Sequence, residues 1–308
     1  MNVLILGGTG MLGHKVFQHL KDRLPDTWCT VRGSLADAHA LAPTIFAGAN
    51  VVAGVDAADW PTLDLLLRDR RPRVIVNCVG VIKQRSEAKS AVPSITINAL
   101  LPHRLAELCA GWGGRLIHFS TDCVFSGAPG PGEDRVNYTE NDFSDAHDLY
   151  GRTKFLGEVT TRNALTLRTS IIGRELTQFR SLLEWFLAES HTGRVKGFTR
   201  AFYSGVTTNY LADLVGRLIT DHSQLRGLYQ VTSDTVSKFE LLGLLRKAFE
   251  LDCDIQPQDE FFCDRSMKGD RFVADTGLRT PPWHELAAHL AQDPTPYENW
   301  RKDVHKTI

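Results

Sequence analysis

An α/β protein built on a doubly wound parallel sheet, with a smaller C-terminal lobe, is the fold class that the sequence predicts, and three observations predict it. Apolar strand-like runs alternate with helical periodicity from residue 3 to about residue 170, the pattern of βαβ units joined by right-handed crossovers. The first run, Val3-Leu4-Ile5-Leu6, leads at once into Gly7-Gly8-Thr9-Gly10-Met11-Leu12-Gly13 and then into apolar residues at helical intervals (Leu12, Val16, Phe17, Leu20). Further on, Tyr150 and Lys154 stand four residues apart in Asp148-Leu149-Tyr150-Gly151-Arg152-Thr153-Lys154.

The unbroken apolar character of 3–6 fits a central parallel strand covered on both faces. Behind it, glycines spaced GxxGxxG open a helix, an order that sets free backbone N–H groups and the positive helix end beside a pyrophosphate. Gly7, Gly10, Met11, Leu12 and Gly13 are therefore the expected phosphate cradle of a Rossmann-type dinucleotide site. The second strand, 27–31, ends at Arg32-Gly33-Ser34. An acidic residue there accepts from the 2′-hydroxyl of NAD, whereas an arginine accommodates a 2′-phosphate. Arg32 makes NADP(H) the expected cofactor, with NAD(H) as the alternative.

A short helix and a loop are expected over 35–50 and a third strand over 51–55, with Asp56 placed to meet the adenine amino group. After a helix over 60–71 comes the strand of Arg73-Val74-Ile75-Val76-Asn77. Its carboxyl end, Cys78-Val79-Gly80, should border the cofactor, because ligands of such sheets sit beyond the strand ends. Lys83, in Ile82-Lys83-Gln84, would then face the cleft. The helix over 94–109 carries Asn98 beside Ile97 and Leu101, read as structural support that bridges backbone groups. A fifth strand, 115–119, delivers Ser120-Thr121-Asp122, where a hydroxyl can hold a substrate carbonyl.

Residues i and i+4 share a helix face, so the Tyr150 hydroxyl and the Lys154 ammonium look into one cavity. A phenol with its usual pKa of about 10 transfers protons poorly at neutral pH. A fixed cation nearby favours the phenolate and brings the pKa toward the working range. The pair suggests an acid catalyst.

After residue 168 the alternation fades into helices near 179–189, 208–220, 238–250 and 282–291, with short strands near 196–204, 228–231 and 254–257. Residues 1–168 are read as the dinucleotide-binding domain. Residues 169–308 are read mainly as a substrate lobe, interleaved with it, over the sheet's carboxyl edge and without a core of its own. Cations and aromatic surfaces for a nucleotide diphosphate are supplied by Arg200, Arg265, Arg271, Lys196 and Tyr203, while Trp283 and Trp300 read as packing residues.

The composition limits the partners. A formal net charge of -1, from 35 basic and 36 acidic residues, leaves no surface for nucleic acid. The six cysteines form no CxxC pair and no zinc-like cluster, so they read as reduced thiols and no metal is expected. No stretch approaches eighteen apolar residues and the chain starts directly on a strand, so a cytoplasmic protein without membrane or secretion signals is expected. A homodimer is one candidate assembly.

With the glycine turn, Ser120-Thr121-Asp122-Cys123-Val124-Phe125 and Tyr150-Gly151-Arg152-Thr153-Lys154 in register, the chain resembles the extended short-chain dehydrogenase/reductases. Within them it is most similar to the dTDP-4-dehydrorhamnose reductase group, also through Tyr138-Thr139-Glu140, Leu167-Arg168-Thr169-Ser170 and Leu228-Tyr229-Gln230-Val231. The resemblance implies a catalytic set of Thr121, Tyr150 and Lys154, with Lys154 on the nicotinamide ribose. It implies an NADPH-dependent reduction of the 4-keto group of a nucleotide-diphosphate deoxysugar. Lys83, Thr121, Asp122, Arg200, Tyr203 and Arg265 are the expected substrate contacts. Related 4,6-dehydratases carry Asp-Glu after the threonine; here Cys123 follows Asp122, which disfavours elimination. A nucleotide-sugar epimerase or bifunctional epimerase/reductase, or a non-catalytic regulatory subunit like the beta subunit of methionine adenosyltransferase, shares the same scaffold and stands as the alternative. The segments 81–84 and 195–208 depart from the usual reductase pattern where that family builds its sugar pocket.

Overall fold

Among the described residues, seven parallel strands form the central sheet. The computed structural model describes residues 1–48, 50–82, 90–128 and 137–306, with side chains to residue 301. The strands are β1 (Val3–Leu6), β2 (Thr27–Thr30), β3 (Val51–Val52), β4 (Val74–Asn77), β5 (Arg115–Thr121), β6 (Ala164–Thr169) and β7 (Gly227–Gln230). Their order across the sheet is β3-β2-β1-β4-β5-β6-β7, and all six pairings are parallel. The chain reverses direction of winding between β1 and β4, and an α/β sheet opens a ligand crevice at such a point.

The apolar runs become central strands because both faces are covered. Val3 and Ile5 pack with Val16 and Phe17 of the helix Met11–Lys21 and with Leu214 and Leu218 of the helix Thr208–Thr220. Leu4 and Leu6 face the other way, onto Leu63 and Leu67 of the helix Trp60–Arg70 and Leu101 and Leu105 of the helix Leu101–Ala110. Each such side chain contributes roughly 1.5–3 kcal/mol, which keeps a strand of only four residues in the centre of the sheet.

Three expectations are corrected. The segment near 228–231 belongs to the sheet: Tyr229 lies opposite Leu167, and β7 extends the sheet beyond β6. The helix Thr208–Thr220 is its crossover, and the insertion between β6 and that helix hid the alternation from a linear reading. The lobe also has an apolar core, in which Leu183, Phe186, Leu241, Leu245, Trp283 and Leu286 are buried together. Between residues 35 and 50 there are two short helices, Leu35–Leu41 and Pro43–Phe46, in place of one helix and a loop.

The helical run beginning at Ala91 widens into a π-helical turn at Ile95–Leu100 before it continues as Leu101–Ala110. Pro102 has no N–H to offer the carbonyl of Asn98, so the regular i to i−4 ladder is broken there. The Asn98 carbonyl instead meets the backbone of Gly157, where a Cβ would stand only 1.9 Å from that oxygen.

Candidate functional site

The carboxyl ends of β1, β2, β4 and β5 open into a cleft of about 820 Å3, closed on its far side by the lobe. Gly7, Thr9, Gly10, Met11 and Leu12 form one end of it. Gly7 adopts φ +83°, a left-handed conformation natural to glycine, and its N–H donates to Thr30 Oγ1 at 3.2 Å. Gly13 is beneath the turn rather than in the wall: a Cβ there would come within 2.1 Å of the Gly7 carbonyl oxygen. Gly10 caps the helix without a side-chain acceptor, and the first turn holds no acidic residue. The leading N–H groups are thus available to an anion, and the donor set fits the pyrophosphate of a dinucleotide.

Arg32 and Asp56, both exposed, border the same cleft, as do Cys78, Val79 and Gly80. Asn98 braces this wall from behind. Its Oδ1 accepts from Val81 N–H at 2.9 Å and its Nδ2 donates to the Val81 carbonyl at 3.0 Å.

Asp148 caps the helix Leu149–Leu156 by accepting from Gly151 N–H at 2.8 Å. At Gly151 a Cβ would lie 2.2 Å from the Cys123 carbonyl oxygen and 2.6 Å from Ala146 Cβ, so glycine lets the helix press onto the end of β5. That approach brings half-buried Tyr150 to Thr121, whose side chain hydrogen-bonds the phenol. Thr121 also donates to Asp122 Oδ1 at 3.0 Å and accepts from Cys123 N–H at 3.2 Å. Tyr150, Lys154, Thr121 and Asp122 all line the cleft.

The expected acidification of Tyr150 does not occur in this structure. Burial raises its pKa above the ordinary phenol value, with the Cys123 side chain adding to the rise and the Thr121 hydrogen bond opposing it. Lys154 directs its ammonium to the Phe119 carbonyl at 2.5 Å. Burial pushes Lys154 down to about 8, against the supporting field of Glu158. At neutral pH the tyrosine is therefore a phenol and the lysine largely an ammonium.

No local pattern in the sequence marks out Glu158. Its carboxylate accepts from Arg168 Nε at 2.9 Å and Nη2 at 2.7 Å, and from Ser120 Oγ at 2.6 Å. The two charged side chains are 1% and 6% exposed, so this ion pair lies inside the protein directly behind Thr121 and Lys154.

On the lobe side, Tyr203 and Arg265 line the cleft, and Arg265 Nη1 donates to Cys123 Sγ at 3.4 Å. Burial pushes the Cys123 thiol up to about 12. Arg200 is not part of the cleft: it occupies the exposed turn between Arg194–Phe198 and Ala201–Tyr203, with its guanidinium 5.3 Å from the Phe262 ring. Lys196 is exposed, Arg271 lies over Tyr229 at 4.9 Å, and Lys83 falls outside the described residues. Lys238, Phe202 and Phe261 stand in the cleft wall instead. One signal could have found Lys238: Ser237 and Glu240 form a capping box, which fixes Lys238 as the first residue of its helix. Among the described residues no three His, Cys, Asp or Glu side chains are grouped to hold a metal ion, and no helix is long and apolar enough to cross a membrane.

Comparison with known proteins gives a family, two relatives and a solved structure. Residues 1–260 match the family described as the RmlD substrate binding domain. Methionine adenosyltransferase 2 subunit beta of Xenopus laevis is 29% identical over 262 residues, covering 80% of this chain and 72% of that protein. A dTDP-4-dehydrorhamnose reductase of Mycobacterium tuberculosis is 30% identical over 241 residues, covering 74% of this chain and 76% of that protein. Among solved structures, the dTDP-4-dehydrorhamnose reductase of Bacillus anthracis in complex with NADP superposes with a TM-score of 0.74 at 18% identity, covering 94% of this chain and 98% of that one.

Proposed function

The chain belongs to the RmlD substrate binding domain family, and from that premise we propose that it is an NAD(P)-dependent oxidoreductase that reduces the 4-keto group of a nucleotide-linked deoxysugar, with NADPH as the preferred donor. The observation that carries this reading is the juxtaposition of Tyr150, Lys154 and Thr121 in one cleft with an uncapped glycine turn. The Mycobacterium tuberculosis relative supports the reaction type, and Arg32 at the end of β2 supports NADP over NAD.

A bound dinucleotide would supply a hydride to the carbonyl carbon, leaving negative charge on the carbonyl oxygen. Tyr150 protonates that oxygen. It is a phenol at neutral pH and so carries the proton to be given, while a positive charge beside it would favour the phenolate left behind. Thr121 hydrogen-bonds the same oxygen, and Lys154, which lines the same cleft, would hold the cofactor ribose and supply a positive charge on that side. Glu158 and Arg168 fix the floor beneath these groups. Arg265, Lys238, Phe202 and Phe261 are the wall offered to the nucleotide diphosphate. Surface-polysaccharide or related nucleotide-sugar synthesis is the setting in which such a reaction is used.

Oxidation of NADPH, followed at its absorbance band against a panel of nucleotide-linked 4-keto sugars, tests the proposal. Tyr150→Phe is expected to leave NADPH affinity nearly intact and to slow the chemical step by about two to four powers of ten, the usual share of acid catalysis. Full turnover in that variant would require another proton donor. The Xenopus laevis relative favours a second reading, a regulatory subunit that binds a methionine adenosyltransferase catalytic chain. Absence of turnover with every sugar, together with tight binding of such a chain, would select it.

A further inference from the structure

We infer that Tyr297, acting through His14, is a positioning residue for the phosphate-binding turn, which makes the C-terminal segment 293–301 a strap on the dinucleotide site. The inference rests on the proposal that this cleft holds NADP(H).

The connection is a chain of two hydrogen bonds. His14 is fully buried on the second turn of the helix Met11–Lys21. Its Nδ1 lies 2.8 Å from the Gly10 carbonyl oxygen and its Nε2 2.8 Å from the Tyr297 hydroxyl. A carbonyl only accepts, so Nδ1 carries the proton. Burial holds the ring neutral, with a pKa lowered to about 4. Nε2 must then accept, and the Tyr297 hydroxyl donates to it.

The Gly10 oxygen, which also accepts the His14 backbone N–H at 3.0 Å, is thus held from two directions. A trans peptide unit is rigid and sets its C=O and N–H on opposite sides. Pinning the Gly10 oxygen under the helix therefore turns the Met11 N–H outward, where Gly10 and Met11 border the cleft. An anion-binding donor gains from being fixed before the ligand arrives, because less ordering remains to be done on binding.

The tyrosine is itself well held. Arg174 and Lys15 stand 4.9 and 5.4 Å from its ring centre, and Trp300 packs against it at 5.9 Å. The strap grips the same helix again one residue later, where Lys15 Nζ donates to Asp293 Oδ2 at 2.6 Å and to Thr295 Oγ1 at 3.1 Å. Its far end also reaches the cleft lining: Arg301 Nη2 donates to Glu184 Oε1 at 2.7 Å and to the carbonyl of Glu175, a cleft residue, at 3.3 Å.

The test is a fluorescence titration of NADPH into wild type, Tyr297→Phe, His14→Leu and the double variant, without sugar, at a temperature where circular dichroism shows each fully folded. Tyr297→Phe keeps the ring and removes only the hydroxyl. It is expected to weaken NADPH binding roughly five- to tenfold, the scale of one lost net hydrogen bond. His14→Leu should lose at least as much, with the double variant no weaker than His14→Leu. The KM for the sugar and kcat at saturating NADPH should stay near wild type in Tyr297→Phe, a split that simple loss of stability does not produce. Unchanged NADPH affinity in Tyr297→Phe alongside a lower melting temperature would overturn the inference, leaving the hydroxyl as an anchor for the C-terminal helix. Independent, additive losses in the double variant would also overturn it. If wild type bound neither NADPH nor NADH, the dinucleotide reading itself would fall and the inference with it.

Discussion

Glu158 is one carboxylate serving two cations. It forms the two-bonded pair with Arg168 and also supports the charge of Lys154, one turn back along the chain. The pair is buried on both sides, so its net contribution to stability is small while the cost of breaking it is large: a lone charge then remains in the interior. Glu158→Gln is expected to destabilise the fold by about 3–5 kcal/mol, read from urea denaturation midpoints. A second effect follows in the same variant. Lys154 already sits near 8 because of burial, with Glu158 as the opposing influence. Removing that carboxylate lowers the lysine further, so the alkaline limb of the pH–rate profile should move to lower pH. A limb that stayed in place would mean that Lys154 is protonated independently of Glu158.

The helix Leu149–Leu156 shows how an element can be positioned by what one residue lacks. In an exposed helix interior, replacing glycine with alanine stabilises by about 1 kcal/mol. At Gly151 the new Cβ would meet the Cys123 carbonyl oxygen at 2.2 Å and Ala146 Cβ at 2.6 Å, and overpacking of this kind costs about 1–3 kcal/mol. Because the obstacle includes backbone, overpacking wins. Gly151→Ala should lower the melting temperature and also kcat, since the helix must lift Tyr150 away from Thr121; an unchanged kcat would show that the close approach is not needed. Elements of this size were legible in the sequence where the period was clean. The β1–glycine turn–helix unit and the end of β5 could be placed from apolar runs and glycine spacing alone. The ion pair of Glu158 with Arg168 could not, because neither residue carries a local pattern and they meet only when β6 lies beside β5. Arg200 misled for the converse reason: a charge near the right segment says nothing about which side of a turn it occupies.

At the scale of the whole molecule, His14 joins the first turn of the sheet to a strap 283 residues later, and this closure should make the fold sensitive to acid. The groups facing its ring are Lys15 from its own helix and Asp293 and Tyr297 from the strap. In the folded protein the ring holds out to about pH 4, against a reference value of 6.5 in the unfolded chain. Between those values the unfolded chain binds a proton that the folded one refuses, so stability rises with pH through the window. The contribution is complete above about pH 6.5 and is lost as the pH falls toward 4. At 1.36 kcal/mol per unit of pKa difference, the full change is on the order of 3 kcal/mol. His19, whose pKa burial also lowers, adds to the same trend, so the wild-type slope alone does not isolate His14. Comparison with His14→Leu does. Urea midpoints measured from pH 7 down to pH 4.5 should fall less steeply in the variant, by close to one bound proton in the slope. Parallel curves would mean that His14 takes up its proton as readily in the folded protein as in the unfolded one, which is incompatible with a neutral ring clasped between the Gly10 carbonyl and the Tyr297 hydroxyl.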